Sequence, residues 1–109
     1  MVEFHLCPKF EAAFEIIGKR WTGLIIRVLL TGPKRFKELV QIIPNVSGKV
    51  LTERLKELES SGIISRKVYP EMPVRVEYFL TEKGLELLPV LDELQTWAEK
   101  WVSIEDGVN

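Results

Sequence analysis

The hydrophobic periodicity of this 109-residue chain changes at Gly62. Before that residue, apolar side chains recur every three or four positions, which is the spacing of one face of an α-helix. After it, the segments IISRKVY and VRVEYFL are rich in β-branched and aromatic residues, and the seven residues between Val68 and Val76 include two prolines. Because proline cannot donate a hydrogen bond to a strand ladder, this stretch predicts the tip of a hairpin. We expect one domain over residues 1–109, mainly α with a small β-hairpin.

Residues 7–35 are predicted to form two N-terminal helices. In the first, Pro8 suits the opening position because its missing N–H would be unpaired there in any sequence, and Gly18 suits the stop. The second helix runs from Trp21 to about Leu29, where the sequence TGP ends it. Both segments carry apolar residues at helical spacing on one side.

Residues 36–62 have the pattern of a helix-turn-helix. A short helix begins at Phe36 and is closed by Pro44, and a longer helix begins after a turn, with Ser47 as its N-cap. The apolar stripe that docks this longer helix comprises Val50, Leu51, Leu55 and Leu58. In this motif the second helix lies in the major groove of DNA. Because the predicted hairpin at 63–80 follows directly, the pattern predicts a winged helix-turn-helix.

The polar side of the longer helix carries the candidate DNA-contact residues Ser47, Lys49, Thr52, Glu53 and Lys56. Lys49 and Thr52 can reach base edges or phosphates, and Lys56 lies one turn further along the same face. Glu53 can accept a hydrogen bond from a cytosine amino group, or it can hold a neighbouring lysine in place. The alternative is an ordinary solvated face, which is common for helices with lysines on their polar side.

Three basic residues of the predicted wing extend this candidate surface. Arg75 is placed at the tip, where it can reach a minor groove or a phosphate, and Arg66 and Lys67 lie beside it. The alternative for an isolated arginine at a tip is a residue that only adds solubility.

The charge distribution favours a limited contact with DNA over a coating of it. The formal net charge of −1 argues against a protein that coats nucleic acid. However, residues 34–75 hold nine basic against five acidic residues, whereas residues 76–109 hold eight acidic against two basic ones. Such polarity lets one face approach phosphate while the other stays away, although solvated charge with no partner is the plainer interpretation.

Residues 81–102 predict a C-terminal helix that Thr81 caps. Its apolar residues alternate by four and three positions, which makes a seam for another helix. The residues of this seam are Leu87, Leu91, Leu94, Ala98 and Trp101. Pro89 lies inside the pattern and deletes one backbone hydrogen bond, so we expect a kink or a boundary near Leu88.

Three segments in this order resemble the HxlR-type branch of the MarR-like winged-helix repressors. They are RWTGLIIRVLLTGPKRFKEL, SGKVLTERLKELESSGII and VYPEMPVRVEYFLTEKG, and the resemblance covers residues 7–102. It implies a homodimeric bacterial transcription factor that binds a palindromic operator in double-stranded DNA, with each recognition helix in one major groove. By position, the resemblance implies that Ser47, Lys49, Thr52 and Arg75 meet the DNA.

The resemblance places the dimer contacts on the first and last helices. The predicted interface residues are Phe10, Leu91, Leu94, Trp97 and Trp101. The alternative for Trp97 and Trp101 is the interior of their own domain, where aromatic residues at helical spacing are more commonly found.

Cys7 is the only cysteine of the chain. If Pro8 opens the first helix, Cys7 is its N-cap, where unpaired N–H groups and the helix dipole favour a thiolate, the form that oxidants and electrophiles meet. The alternative is a small apolar residue wedged against Phe10. The segment LCPKFEAAFEIIGKRW is similar to the quinone- and diamide-sensing members of the family, in which an N-terminal cysteine before proline is the sensor.

The cysteine count restricts how such a sensor can work. Some of those relatives carry a second cysteine near the C-terminus, and this sequence has none. An intramolecular disulfide is therefore excluded, and three products remain: a Cys7–Cys7 bridge between subunits, a mixed disulfide with a small thiol, or alkylation by a quinone. The hypothesis is a repressor of detoxification or oxidoreductase genes that releases its operator when Cys7 is modified.

Other classes of protein fit the sequence less well. A thiol enzyme would need a base and an orienting group, and the sequence offers His5 without either Asp or Asn placed to orient it. We expect no enzyme activity, no cofactor and no metal, because nucleotide loops and ligand clusters are missing from the sequence. Two alternatives stay open: a regulator that binds an aromatic ligand noncovalently between its DNA-binding domain and dimer helices, and a winged helix that binds proteins. With no secretory signal and no apolar run of about 20 residues, we expect a cytoplasmic protein without membrane contact.

Overall fold

The structure is a computed structural model that describes residues 6–104. His5 lies outside these residues. Within them, the chain forms helices and one hairpin in the order α1 (Pro8–Ile17), α2 (Thr22–Leu29), α3 (Phe36–Ile42), α4 (Gly48–Ser60), β1 (Ile64–Tyr69), β2 (Arg75–Leu80), α5 (Glu82–Leu85) and α6 (Leu88–Trp101). The predicted mainly α fold with a β-hairpin wing after a helix-turn-helix is confirmed.

Local signals in the sequence set the ends of these helices. Pro8 opens α1, and the Ser47 hydroxyl oxygen caps α4 by accepting a hydrogen bond from the Val50 N–H at 3.1 Å. Gly62 follows α4 with a φ of 77°, a left-handed conformation that glycine adopts at no steric cost. Thr81 caps α5 by accepting a hydrogen bond from the Gly84 N–H at 3.2 Å.

The hairpin forms an antiparallel ladder from Ile64 opposite Leu80 to Tyr69 opposite Arg75. The ladder extends one residue into each side of the predicted seven-residue tip, so that the tip is the five-residue segment 70–74. The wing is fastened to the segment before α3, because the backbones of Lys34 and Tyr78 exchange two hydrogen bonds of 3.0 and 2.8 Å.

The hydrophobic core is built from α2, α3, α4 and the start of β1. Its fully buried side chains include Ile25, Ile26, Leu39, Leu51, Leu58 and Ile64. In contrast, α1 contributes no buried residue, and α6 contributes only Leu91. The core therefore supports the helix-turn-helix and the wing, while most of α1 and α6 lies outside it.

The predicted C-terminal helix is two helices. The short α5 ends at Leu85 and α6 begins at Leu88, with Pro89 in its first turn, where a proline removes no helical hydrogen bond. The predicted boundary near Leu88 is thus confirmed. The predicted role of Leu91 in a dimer interface is corrected, because its side chain is 7% exposed and packs in the core of its own chain.

The molecule is elongated for its size. Its radius of gyration is 16.3 Å and its extents are 65 × 37 × 23 Å, whereas a compact domain of 100 residues has a radius of gyration of about 13 Å. Large apolar side chains of both α1 and α6 are exposed. Across residues 6–104, no helix combines the length and the apolar character that crossing a bilayer requires.

Candidate nucleic-acid interface and thiol site

The polar face of α4 is open to solvent. Lys49, Glu53 and Lys56 are exposed and lie on the opposite side of the helix from its buried leucines. In the part of the chain that the structure describes, neither Lys49 nor Lys56 forms an ion pair, so both ammonium groups are available to a ligand. A partner that approaches this face meets two unpaired positive charges about two helical turns apart.

The two hydroxyl groups at the start of α4 already make hydrogen bonds within the helix. The Thr52 hydroxyl donates to the Gly48 carbonyl oxygen at 2.8 Å, which leaves its lone pairs and its methyl group for a partner. The Ser47 hydroxyl accepts from Val50 as the N-cap and keeps its own proton available for donation. The interaction that Ser47 makes in the structure is therefore the N-cap of α4, and its remaining proton can still be donated to a phosphate.

Ion pairs hold α4 along both of its flanks. On one flank, the Lys19 ammonium lies 3.0 Å from Glu57, and the Arg54 Nε donates to the Arg20 carbonyl oxygen at 3.0 Å. On the other flank, the Arg66 guanidinium lies 3.4 Å from Glu59. The predicted wing residue Arg66 is therefore paired with the end of α4. The polar face that carries Lys49 and Lys56 lies between these two sets of contacts.

Arg75 is held within the wing. It is the first residue of β2, and its guanidinium lies 3.2 Å from Glu71, 3.9 Å from Glu77 and 4.1 Å from the centre of the Tyr69 ring. Its Nε is buried without a hydrogen-bond partner in the described part of the chain. The prediction that Arg75 stands at the tip is therefore wrong, since the tip is the segment 70–74 that precedes it. Contact with a phosphate would replace its pairing with a carboxylate.

Lys67 lies on the same face of the hairpin as this cluster. Its ammonium group is 5.1 Å from the centre of the Tyr69 ring, and the residue is exposed. Among the described residues it makes no ion pair. Of the three predicted wing contacts, Lys67 is thus the one whose charge is not already neutralised by a carboxylate.

A groove joins the wing to the start of α3. It has a volume of about 480 Å³ and is lined by Arg35, Phe36 and Lys37 on one side and by the segment 71–76 on the other. The Phe36 ring also lies beside Gly48 at the start of α4. The starts of α3 and α4 and the wing tip are therefore neighbours on one surface. Sequence reasoning missed Arg35 and Lys37 as candidates, and only the basic balance of residues 34–75 signalled them.

Cys7 is exposed at the start of α1. As predicted, it is the N-cap residue, and its carbonyl oxygen accepts the Glu11 N–H at 3.2 Å. Its sulfur makes no capping hydrogen bond. Because the side chain is exposed, the thiol can be reached by a reagent from solution. A contact with Phe10 stays the alternative for this residue, since Phe10 is itself exposed.

The apolar face of α1 is uncovered next to this thiol. Phe10 and Phe14 stack edge to face with ring centres 5.1 Å apart, yet they are 66% and 56% exposed. Aromatic side chains of this size are rarely left in water by a domain that could bury them. The face is therefore a candidate for contact with another surface.

The seam of α6 is uncovered in the same way beyond its first turn. The first turn is anchored, because Arg27 donates to the Leu91 carbonyl oxygen and to Asp92, both at 2.9 Å. After it, Leu94 and Trp97 are each 57% exposed and Trp101 is 65% exposed. The alternative that Trp97 and Trp101 form the interior of their own domain is wrong.

A small apolar cavity lies between α1 and α5. It has a volume of about 280 Å³, its walls are mainly isoleucine and leucine side chains, and Lys83 and Glu86 stand at its rim. This is close to the lower limit of size for sites that bind small organic ligands.

Comparison with known proteins identifies relatives over nearly the whole chain. The profile of the HxlR-like helix-turn-helix family matches residues 16–106. The HTH-type transcriptional regulator YodB of Bacillus subtilis is 55% identical over 103 residues, which make up 94% of this chain and 92% of YodB.

Solved structures agree in fold. Reduced YodB from B. subtilis has a TM-score of 0.83 and 55% identity, covering 94% of this chain and 100% of that one. Diamide-treated YodB has a TM-score of 0.78 and 54% identity, covering 93% of this chain and 100% of that one. Quinone-bound YodB has a TM-score of 0.78 and 53% identity, covering 88% of this chain and 100% of that one. The oxidized form of the redox regulator HypR has a TM-score of 0.82 at 38% identity, with 90% and 100% covered.

Proposed function

The chain belongs to the HxlR-like helix-turn-helix family, whose members are DNA-binding transcriptional regulators and not enzymes, and from that premise we propose that it is a cytoplasmic homodimeric repressor switched by Cys7. In the reduced state, each protomer places α4 in one major groove of a palindromic operator. Modification of Cys7 releases the operator and allows expression of detoxification or oxidoreductase genes.

The DNA-binding part of this proposal is supported by the open face of α4. Lys49 and Lys56 offer unpaired charges to phosphates, and Thr52 offers a methyl group and lone pairs to base edges. Glu53 stands between the lysines, where it can accept from a cytosine amino group. Lys67 extends the contact along the wing. Ser47, Arg66 and Arg75 belong to the same surface. Each of them already makes a hydrogen bond or an ion pair within the protein, and a contact with DNA would add to that interaction or replace it.

The homodimer is supported by the uncovered seams of α1 and α6. A second copy of the chain would present the same two seams, and pairing them would bury Phe10, Leu94, Trp97 and Trp101. Leu91 stays in the core and anchors the base of α6.

The single observation that carries the switch is the exposure of Cys7 beside the uncovered face of α1. A thiol at the edge of a subunit interface can react from solution, and the product then adds bulk or a covalent link where two protomers meet. One relative of known structure, YodB, has been captured in a diamide-treated form and in a quinone-bound form, and both diamide and quinones react with thiols.

Three reactions at Cys7 are chemically balanced. Diamide accepts two hydrogen atoms at its N=N bond, while two Cys7 thiols, one from each protomer, form an S–S bond. A small-molecule disulfide exchanges with the thiolate and releases a small thiol, leaving a mixed disulfide. A quinone receives the sulfur at a ring carbon, the thiol proton moves to one oxygen and the hydrogen of the attacked carbon moves to the other, giving a hydroquinone thioether.

Fluorescence anisotropy tests this proposal. The purified protein is titrated onto its own upstream DNA and onto a scrambled duplex, before and after treatment with diamide or benzoquinone, and Cys7→Ser is measured in parallel. We expect specific binding that is lost with either reagent, restored by reductant after diamide only, and unaffected in Cys7→Ser. A Cys7→Ser protein that still responds would overturn the role of Cys7.

The small cavity between α1 and α5 favours one other candidate, a repressor released by a noncovalent aromatic ligand. Its apolar walls suit a ring and its Lys83 suits a carboxylate. The same titration separates the two candidates. A noncovalent ligand would release DNA from Cys7→Ser as readily as from the natural protein, whereas binding to no duplex at all would favour a winged helix that binds proteins.

A further inference from the structure

We propose that Arg54 and Glu57 are positioning residues that fasten the recognition helix α4 to the connection between α1 and α2, so that a change at Cys7 reaches the DNA-reading face through them. The proposal rests on the proposed function for its biological meaning, but the mechanical link can be tested without DNA. We call residues 18–21 the α1–α2 connection.

Three polar contacts form this link. The Arg54 Nε donates to the Arg20 carbonyl oxygen at 3.0 Å, the Lys19 ammonium lies 3.0 Å from Glu57 Oε2, and the Arg54 Nη1 lies 3.6 Å from the same oxygen. The Arg54 side chain is only 17% exposed, although its hydrogen bond to Arg20 lies at the surface, and because the donor is charged this bond is the stronger part of the link. Lys19 and Glu57 are 47% and 41% exposed and add less.

The backbone of the α1–α2 connection is itself unusual. Trp21 has a φ of 79°, a left-handed conformation that is rare for a bulky side chain. Such conformations persist only where neighbouring contacts hold them. Here the Arg20 guanidinium stacks 4.6 Å from the centre of the Trp21 ring, and Arg54 holds the Arg20 carbonyl. The connection is therefore kept in a strained form partly by a side chain of α4.

Little else fixes the position of α1. None of its residues is buried, although Ile16 packs against the core. A displacement of α1 that follows modification of Cys7 is thus resisted mainly at its C-terminal end, where it enters the α1–α2 connection. The connection is where polar contacts join the end of α1 to α4.

On α4 the link meets the DNA-reading face directly. Arg54 and Glu57 lie one turn apart on one flank, and the Arg54 Nη1 is 4.0 Å from Glu53 on the polar face. Movement of the connection would turn α4 or shift it along its axis, and the exposed lysines would move with it. Elements with two discrete arrangements carry coupling between sites in this manner.

Glu57→Gln and Glu59→Gln make a matched pair for the test. Both variants remove one carboxylate charge from α4, and the two residues are two positions apart. Glu57 faces the α1–α2 connection, whereas Glu59 faces Arg66 of the wing. Arg54→Met is the stronger variant, because it keeps an unbranched side chain and removes the hydrogen bond to Arg20. If Arg54→Met does not fold, Glu57→Gln still decides the question.

The measurement is amide hydrogen exchange, followed by mass spectrometry, before and after alkylation of Cys7 with a maleimide. In the natural protein and in Glu59→Gln, we expect alkylation to change exchange in residues 18–22 and in α4. In Arg54→Met, the change in α4 should fall by about threefold or more, which is typical when a residue that carries coupling is altered. In Glu57→Gln, which keeps the hydrogen bond between Arg54 and Arg20, it should fall by a smaller amount that Glu59→Gln does not show. Exchange in residues 18–22 should still respond.

Two results would overturn the proposal. The first is that alkylation of Cys7 leaves amide exchange in α4 of the natural protein unchanged. The second is that alkylation changes exchange in α4 by the same amount in the natural protein and in all three variants. The repressor hypothesis fails separately. In that case thiol reagents leave operator binding unchanged, although the hydrogen-exchange results are those expected for the link.

Discussion

Arginines and lysines have different roles on the surface of this protein. Arg54, Arg66 and Arg75 each lie within 4 Å of a carboxylate. Arg54 and Arg66 also join α4 to neighbouring segments of the chain. Lys49 and Lys56 point from α4 into solvent without such partners among residues 6–104. The planar fork of a guanidinium suits fixed pairing, and a flexible ammonium suits contact with a mobile phosphate. The charge available to DNA is therefore carried mainly by lysine.

Lys49→Ala is expected to lower DNA affinity because it removes a phosphate contact. The slope of log K against log salt concentration should fall by about 0.9 for each phosphate that is no longer neutralised, and therefore by about 1.8 for a dimer. Anisotropy titrations at several salt concentrations measure this slope. Lys100→Ala, which removes the same charge from α6, should leave the slope unchanged. An equal fall in both variants would mean that only net charge matters.

Glu71→Gln is expected to strengthen DNA binding, because it frees Arg75 from its nearer carboxylate and removes a negative charge from the wing tip. An exposed ion pair contributes about 0.2–1 kcal/mol, so the affinity should rise by about 1.5- to 5-fold. The salt slope should become steeper at the same time. Arg75→Met in the Glu71→Gln background removes the gain if the freed guanidinium causes it, and a gain that survives would point to the wing tip's charge alone.

At the scale of secondary-structure elements, local patterns in the sequence were sufficient to place most ends and faces. The start of α4 at Ser47 and the boundary at Pro89 depend on neighbours within four positions, and such signals can be read from one chain. The partners of the polar residues could not be predicted from the sequence in this way. Arg54 pairs with a backbone oxygen 34 positions away, and before folding it looks the same as any solvated arginine. For the same reason Arg75 was placed at an exposed tip.

Substitution of Ser47 separates the cap of α4 from a contact with DNA. Ser47→Ala removes the hydrogen bond to Val50 and should destabilise the fold by about 1 kcal/mol, which corresponds to a Tm lower by about 4–8 °C. Ser47→Asp keeps a capping oxygen and should restore the Tm, but its charge would repel a nearby phosphate. Thermal unfolding and anisotropy measured together should therefore rank the two variants in opposite orders. The same order in both assays would show that Ser47 acts only through stability.

At the scale of the whole molecule, the main feature is the separation between a well-packed core and uncovered helices. The core holds α2, α3, α4 and the wing in one unit. Outside it, Phe10, Phe14, Trp97 and Trp101 leave more than half of their side-chain surface in water. A large interface between two copies would remove this surface from water and explain the elongated shape of one protomer.

Leu94→Asp is expected to abolish the dimer, since it places a charge in the centre of the α6 seam. Sedimentation velocity at micromolar concentration should show a dimer for the natural protein and a monomer for this variant. Ile42→Asp, at the end of α3, replaces an apolar side chain that is 48% exposed, compared with 57% for Leu94, and should remain dimeric. Operator affinity should fall with the dimer, because a monomer can contact only one half-site. A dimeric Leu94→Asp protein would place the interface elsewhere.

The lack of any buried residue in α1 links the chemistry of the thiol to protein abundance. A ten-residue helix with little tertiary support is only marginally stable in water. If the chain dimerises through α1 as we propose, separation of the protomers at low concentration would leave α1 with only its contact through Ile16, and Cys7 would no longer stand at the start of a stable helix. At high concentration the partner would hold α1 folded and shape the surroundings of the sulfur. The dose of oxidant to which the proposed switch responds would then depend in part on the number of copies of the protein.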